Sequence, residues 1–454
     1  MEGRRLTEGS AFGTLVRFSL PFLLANILQA CYGASDLFMV GRFSDSVGVC
    51  AVATGGQVMQ TITGLSIGLT AGGTVLIGQY YGARRGREVA SAVKTIFWVF
   101  GLLSLALCAA TLLLLDPICN LMQVPAEALA TTRQYLFLCA LGIPFIVGYN
   151  AVSGILRGLG DSRTPLLLIA LACVINVSTD VLFVGVMRQG AAGAAVSTVL
   201  AQVVSLVLAL FYLAGRGLVR KYRGGAPCFK LVAAKQVLAT GAPIALQEGL
   251  VNLSFLIITA ILNGLGLVAA AAVGVVEKLI AFSMLPTTAF AAALSAMTAQ
   301  HRGAGMMGRA KRCLKMAIAL SLVFGAGCFL AAQLQAPALV GLFTGDPRVV
   351  AAGSGYLRAY SADCMAVCFV FCMNAFLSGG GHPVFPLVHS LLSTFLVRIP
   401  LSFFFSRSGG GTLTPVGFAA PLATLFSLLL CLWYMKKVGS SGLEGGSAAA
   451  PSHG

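Results

Sequence analysis

The chain alternates between long apolar runs and short polar, mostly basic turns. The runs cover residues 15–40, 51–78, 93–115, 132–154, 164–186, 190–214, 237–263, 267–299, 314–335, 355–377, 384–405 and 413–435. A helix needs roughly 20 apolar residues to cross a bilayer. Stretches such as "LLLIALACVINV" are continuous rather than alternating, which sets aside a lipid-facing β-barrel. The pattern predicts an all-α polytopic membrane protein of twelve transmembrane helices, with both termini on one side because the number is even.

Basic residues assign the side. Arg42, Arg133, Arg188, Arg348, Arg358 and Arg407 belong to one set of turns, and Lys278 and Arg398 fall inside spans. The other 22 of the 30 sit at the termini and in the alternate turns. Positive-inside then places both termini in the cytoplasm of a multi-pass cell (inner) membrane protein. The opening "MEGRRLTEGSAFGTLVRF" is polar and basic, and the run after it is too long for the core of a cleavable signal.

The runs also repeat at an offset of about 221 residues. "SLPF" at Ser19 is answered by "GAPI" at Gly241, "GQYYGA" by "AQHRGA", and "RGLGDSRTP" by "SGGGHPVFP". Each half then holds six spans of like orientation, the parallel-repeat arrangement of transporters. The expected organisation is an N-terminal lobe over 1–214, a cytoplasmic linker over 215–236, a C-terminal lobe over 237–437 and a disordered, low-complexity tail over 438–454. The two pseudo-symmetric six-helix lobes should flank a central cleft and give alternating access.

Composition adds two points. Hydrophobic residues make up 58% of the chain and charged residues only 10%. Soluble domains carry about 25% charged residues, so the shortfall again points to the bilayer. The net charge of +16 therefore reads as topology and attraction to anionic lipid headgroups rather than nucleic acid binding. Most of the 13 cysteines lie in apolar runs, as small buried side chains. The Cys364, Cys368, Cys372 stripe reads as a packing face rather than a metal site.

Candidate chemistry lies in the acids at membrane depth, which are costly there and usually face a cavity or the bundle interior. Asp36 on span 1 and Asp180 on span 5 fall at similar depth in one lobe, and Asn176 is one turn below Asp180. Gln29 and Tyr32 share a face with Asp36, and Thr198, Gln202 and Ser205 recur at helical spacing on span 6. Together they could build one polar pocket. Two carboxylates in a partly desolvated pocket resist carrying two charges at once, so the pair can take up a proton or share a sodium ion. The second lobe offers Glu248, Glu277 beside Lys278, and Asp363 sharing a face with Asn374. A chamber with several carboxylates and aromatic residues suits organic cations. Gly64, Gly68 and Gly72 recur every four residues on span 2, where another helix could approach closely.

At this point "ASDLFMVGR", "GQYYGAR", "SGILRGLGDSRTP", "NVSTDVLFV", "GAAVSTVLAQ", "GAPIALQEGL" and "VRIPLSF", in that order over Leu15 to Lys437, resemble the multidrug and toxic compound extrusion (MATE) family, prokaryotic branch. The resemblance implies a secondary active efflux transporter that exports drug-like, often cationic compounds in exchange for H+ or Na+ and needs no other cofactor. It implies an ion site at Asp36, Asn176, Asp180 and Thr198, with Asp36, Asn176 and Asp180 as metal ligands if the ion is sodium. Substrate contacts are expected from Gln29, Tyr32, Gln202, Glu248, Glu277, Asp363 and Asn374, and the chain is expected to work as a monomer.

Two competing readings exist. One is a lipid-linked saccharide flippase of the same superfamily, which would line its cleft with Arg or Lys. The other is an intramembrane aspartyl protease, for which "GLGD" at Gly158 is the sole match and sits in a basic turn. No P-loop, HExxH or nucleophile elbow is present in the sequence, so an enzyme is not expected.

Overall fold

The computed structural model describes residues 6–215, 229–263, 265–408 and 412–439. Among these the chain is helical, with no strand. The helices are α1 (Ala11–Phe43), α2 (Ser46–Gly82), α3 (Gly86–Leu113), α4 (Leu115–Leu121), α5 (Ala126–Gly158), α6 (Arg163–Asp180), α7 (Gly190–Gly215), α8 (Leu231–Asn263), α9 (Leu267–Gly303), α10 (Met307–Gly341), α11 (Pro347–Ser361), α12 (Asp363–Gly379), α13 (Val384–Leu392), α14 (Ile399–Ser408), α15 (Thr414–Gly417) and α16 (Ala419–Gly439). Most of the expected linker, 216–228, and the tail from 440 lie outside the described residues.

Eleven spans are each long and apolar enough to cross a bilayer, and α11 with α12, bent by 43°, complete the expected twelve. A helix satisfies every backbone polar group within its own segment without water, which is why continuous apolar runs of this length become helices. Large apolar side chains on the outside, such as Phe38, Leu113, Phe211, Leu334 and Trp433, are suited to acyl chains.

The ends of the helices follow local chemistry. Asp45 caps α2, its carboxylate accepting from the Gly48 amide at 2.9 Å. Asp346 caps α11 ahead of Pro347 at its start. Both follow the usual preference for a side-chain acceptor at the N-cap and a proline just inside. The repeat recurs in the backbone. Helices α2 and α9 each run 37 residues and end at Gly82 and Gly303. The turns after α5 and α12 both pass through a left-handed glycine, Gly160 at φ 84° and Gly381 at φ 82°, a conformation that a Cβ disfavours.

Contacts group the chain into two units. One is Leu20–Ala245; the other is Leu6–Ser19 with Leu246 onward. In the first, α5 packs against α2, α3 and α7 around Ile96, Ile143, Val147 and Ile155. In the second, α9 packs against α10, α11 and α12, with Val273, Val276, Val340, Tyr356 and Val416 in its core.

Close helix packing in the first unit uses two of the three span-2 glycines. A Cβ on Gly68 would lie 2.5 Å from Ala245 Cα, and one on Gly72 would collide with the Val237 carbonyl and come within 2.6 Å of the Gly241 nitrogen. Gly64 faces open space.

Two spans carry π-helical turns, Val181–Val186 directly after α6 and Ser393–Arg398 between α13 and α14. Such turns add a residue to the helical cycle and often accompany functional positions. Here one follows Asp180 and the other ends at Arg398.

Candidate functional site in the first unit

Helices α1, α6 and α7 bring the predicted ion-site residues together. Asp36 is 6% exposed, and Asn176 and Asp180 are fully buried. The Thr198 hydroxyl donates to Asp36 Oδ2 at 2.8 Å. The Tyr32 hydroxyl donates to the Thr198 carbonyl at 3.3 Å and also has Gln202 beside it. Asp36 and Asp180 are close enough to act on each other, and Asn176 lies against Asp36.

Three residues missed by the sequence reading line the same chamber. Ser197 lies against Asp180 from α7. Tyr135 and Cys139, one turn apart on α5, lie within electrostatic reach of Asp36. Ser197 was legible as the neighbour of Thr198. Tyr135 and Cys139 were not, because a single Tyr and a single Cys in an apolar span look like core.

The chamber is polar but incompletely paired. Asp36 Oδ1, both side-chain polar atoms of Asn176, both carboxyl oxygens of Asp180 and Ser197 Oγ lack a protein hydrogen bond of normal geometry. Unpaired buried groups of this kind are costly. Protons, water or a cation held by carboxylate, amide and hydroxyl oxygens would satisfy them, and an all-oxygen donor set suits a hard cation.

The remaining predicted residues are placed elsewhere. Gln29 is on an exposed face of α1. Glu248 is exposed on α8, and beside it Gln247 Nε2 donates to Ser390 Oγ at 2.9 Å. Glu277 on α9 accepts from the Thr259 hydroxyl at 3.3 Å. Asp363 and Asn374 share a helix face but not a site. Asp363 is buried beside Thr424, whereas Asn374 Oδ1 lies 2.7 Å from His389 Nε2, with Cys431 and Ser427 on the same imidazole.

The cysteine stripe is lined by hydroxyls. Cys364, Cys368 and Cys372 meet Ser283, Thr287 and Ser321 at 3.6 to 3.7 Å. No group of three His, Cys, Asp or Glu positioned for a metal occurs among the described residues. Asp161 of the "GLGD" string holds the turn ahead of α6: it accepts from the Arg163 and Thr164 amides, the Thr164 hydroxyl and the Tyr212 hydroxyl. With all four donors spent on holding a turn, it does not resemble a catalytic aspartate.

Comparison with known proteins identifies the family. The MatE family profile matches the chain twice, over residues 21–182 and 243–404, and each match begins at a proline within a long helix, Pro21 or Pro243. The "Probable multidrug resistance protein YpnP" of Bacillus subtilis (strain 168) is 28% identical over 438 residues, 96% of this chain and 97% of the relative. The "Probable multidrug resistance protein YoeA" of the same organism is 25% identical over 450 residues, 96% of each chain. The crystal structure of MATE in the straight conformation has a TM-score of 0.89 at 21% identity, covering 97% of this chain and 99% of that one. The chain therefore belongs to the MatE family, and is a multi-pass membrane transporter rather than an enzyme.

Proposed function

We propose that the protein exports drug-like, cationic organic compounds by alternating access, in exchange for a proton or a sodium ion at Asp36, Asn176, Asp180 and Thr198. The observation that carries this reading is the set of unpaired oxygens on Asp36, Asn176 and Asp180, buried at membrane depth. A chamber that leaves one oxygen of Asp36 and both oxygens of Asp180 without a protein hydrogen bond of normal geometry changes its free energy steeply with proton or cation occupancy. An exchanger needs such a group, since its coupling ion must bind in one state and leave in another. The relatives named as multidrug resistance proteins support the substrate class. The basic bias of one set of turns supports cytoplasmic termini in a bacterial inner membrane bearing anionic headgroups. The protein is expected to act as a monomer.

The test is counterflow in proteoliposomes loaded with ethidium, with a pH gradient and a sodium gradient imposed separately. One gradient should drive ethidium movement in the wild type, and neither should do so in Asp36→Asn. Equal movement with and without both gradients would overturn the exchange reading.

A further inference from the structure

Arg398 has no charged counterpart at the matching position of the first unit. At the offset of 221 that pairs Gly82 with Gly303 and Gly160 with Gly381, Val177 falls on Arg398 and Gly56 on Glu277. The C-terminal unit thus carries a fixed cation and a carboxylate at positions that are uncharged in the N-terminal unit.

The local geometry is that of an open charge pair. Arg398 ends a π-helical turn. Its guanidinium carbon lies 4.2 Å from the centre of the Phe255 ring, and Nη2 donates to the Tyr360 hydroxyl at 3.0 Å. Glu277 accepts from Thr259 across the cluster and feels the charges of Arg398 and Lys278. Asp363, with one carboxyl oxygen unpaired, and the buried phenols Tyr356 and Tyr360 complete the surroundings. Among the described residues no carboxylate lies within 4.0 Å of the Arg398 guanidinium.

A guanidinium has five N–H donors in a planar fork that matches a carboxylate or phosphate in two-point fashion. Here one donor is used. The ring beneath and the phenol beside it hold the fork in place, which lowers the ordering cost of binding. A charge this far inside a span is expensive without a counter-ion, and Glu277 is held back by Thr259 instead of closing on it.

We propose that Arg398, framed by Phe255 and Tyr360, is a subsite in the C-terminal unit for the carboxylate of an amphoteric substrate whose cationic end is received by Glu277. This extends the export reading to a second substrate class and rests on it only for transport, since binding can be measured without a gradient. The shared chemistry is an oxyacid anion, which a phospholipid phosphate also offers.

The experiment uses two dyes on one aromatic frame, rhodamine 110, which has a free carboxylate, and rhodamine 123, its methyl ester. Binding is read by fluorescence anisotropy on the purified full-length protein in an uncharged detergent. The wild type should bind the acid, and Arg398→Gln should weaken acid binding by about tenfold or more while ester binding stays within about twofold. Arg398→Lys, which keeps the charge and loses the fork, should fall between and serves if the Gln variant does not fold. Glu277→Gln should weaken both dyes, since both carry the xanthylium cation. Failure of the wild type to bind the acid, parallel loss of acid and ester in Arg398→Gln, or displacement of the acid by a few mole per cent of phosphatidylglycerol would each overturn the proposal. If binding behaves as expected but neither dye is exported, the transport reading fails and the subsite stands.

Discussion

The hydroxyl of Thr198 on α7 points its hydrogen at Asp36 Oδ2 on α1, 2.8 Å away across 162 residues of sequence. That bond satisfies one oxygen of Asp36 and leaves the other unpaired, facing a chamber in which Asn176 and Asp180 are also unsatisfied. The carboxylate is thus held in orientation on one side and available for an ion on the other.

Asp36→Asn and Asp180→Asn should each reduce efflux of a cationic dye to the level of cells lacking the protein, with the variant still present in the membrane. An amide neither titrates nor neutralises a cation, so the isosteric change removes the chemistry and keeps the volume. The double variant should be no worse than either single one, because the two groups act as a unit. Immunoblot of membranes together with dye accumulation checks both parts. Retained resistance in both single variants would remove the coupling assignment.

Thr198→Ala should weaken ion dependence without abolishing it. Losing one hydrogen bond to a charged group costs about 1.5–3 kcal/mol, or roughly a tenfold to hundredfold rise in the concentration of coupling ion needed for half-maximal exchange. Thr198→Ser keeps the donor and should stay near wild type. Titration of exchange rate against the driving ion in proteoliposomes separates the three proteins.

Much of this was legible in the chain. Twelve continuous apolar runs specify the helices, because the other backbone solution in a bilayer, a closed barrel, needs short alternating segments. Asp36, Asn176, Asp180 and Thr198 stood out because polar groups are rare at that depth. The bend at Ala362 between α11 and α12 and the π-helical turn after Asp180 left no signal, since hydropathy is blind to helical pitch. Asp363 and Asn374 show the limit of periodicity. They lie on one face of α12 but several turns apart along its axis, and neighbouring helices supply each with different partners.

The glycines where α2 meets α8 give a graded test of packing. Gly72→Ala and Gly241→Ala should lower the thermal melting temperature and yield, because each adds a methyl group where a backbone carbonyl already sits. Crowding of this kind costs about 1–3 kcal/mol. Gly64→Ala meets open space. It should be neutral or mildly stabilising, since alanine is favoured over glycine within a helix by about 1 kcal/mol. Melting curves in detergent, read by fluorescence-detected size exclusion, rank the three. Equal losses at Gly64 and Gly72 would mean that helix flexibility, and not close approach, is what α2 requires.

Asp161 offers a separate check, on the difference between a motif and a role. Its carboxylate holds two backbone amides and two hydroxyls at the start of α6. Asp161→Ala should therefore cost on the order of 1 kcal/mol, as the loss of an intramolecular hydrogen bond does, and appear as a modest fall in melting temperature. Transport per folded molecule should remain, because no polar atom of the Asp36 chamber bonds to Asp161. Asp161→Asn retains acceptor capacity toward the amides and should recover part of the stability. A folded Asp161→Asn protein that no longer exports dye would show instead that this turn takes part in the transport cycle, and would move the search for moving parts from the chamber to the connection between α5 and α6.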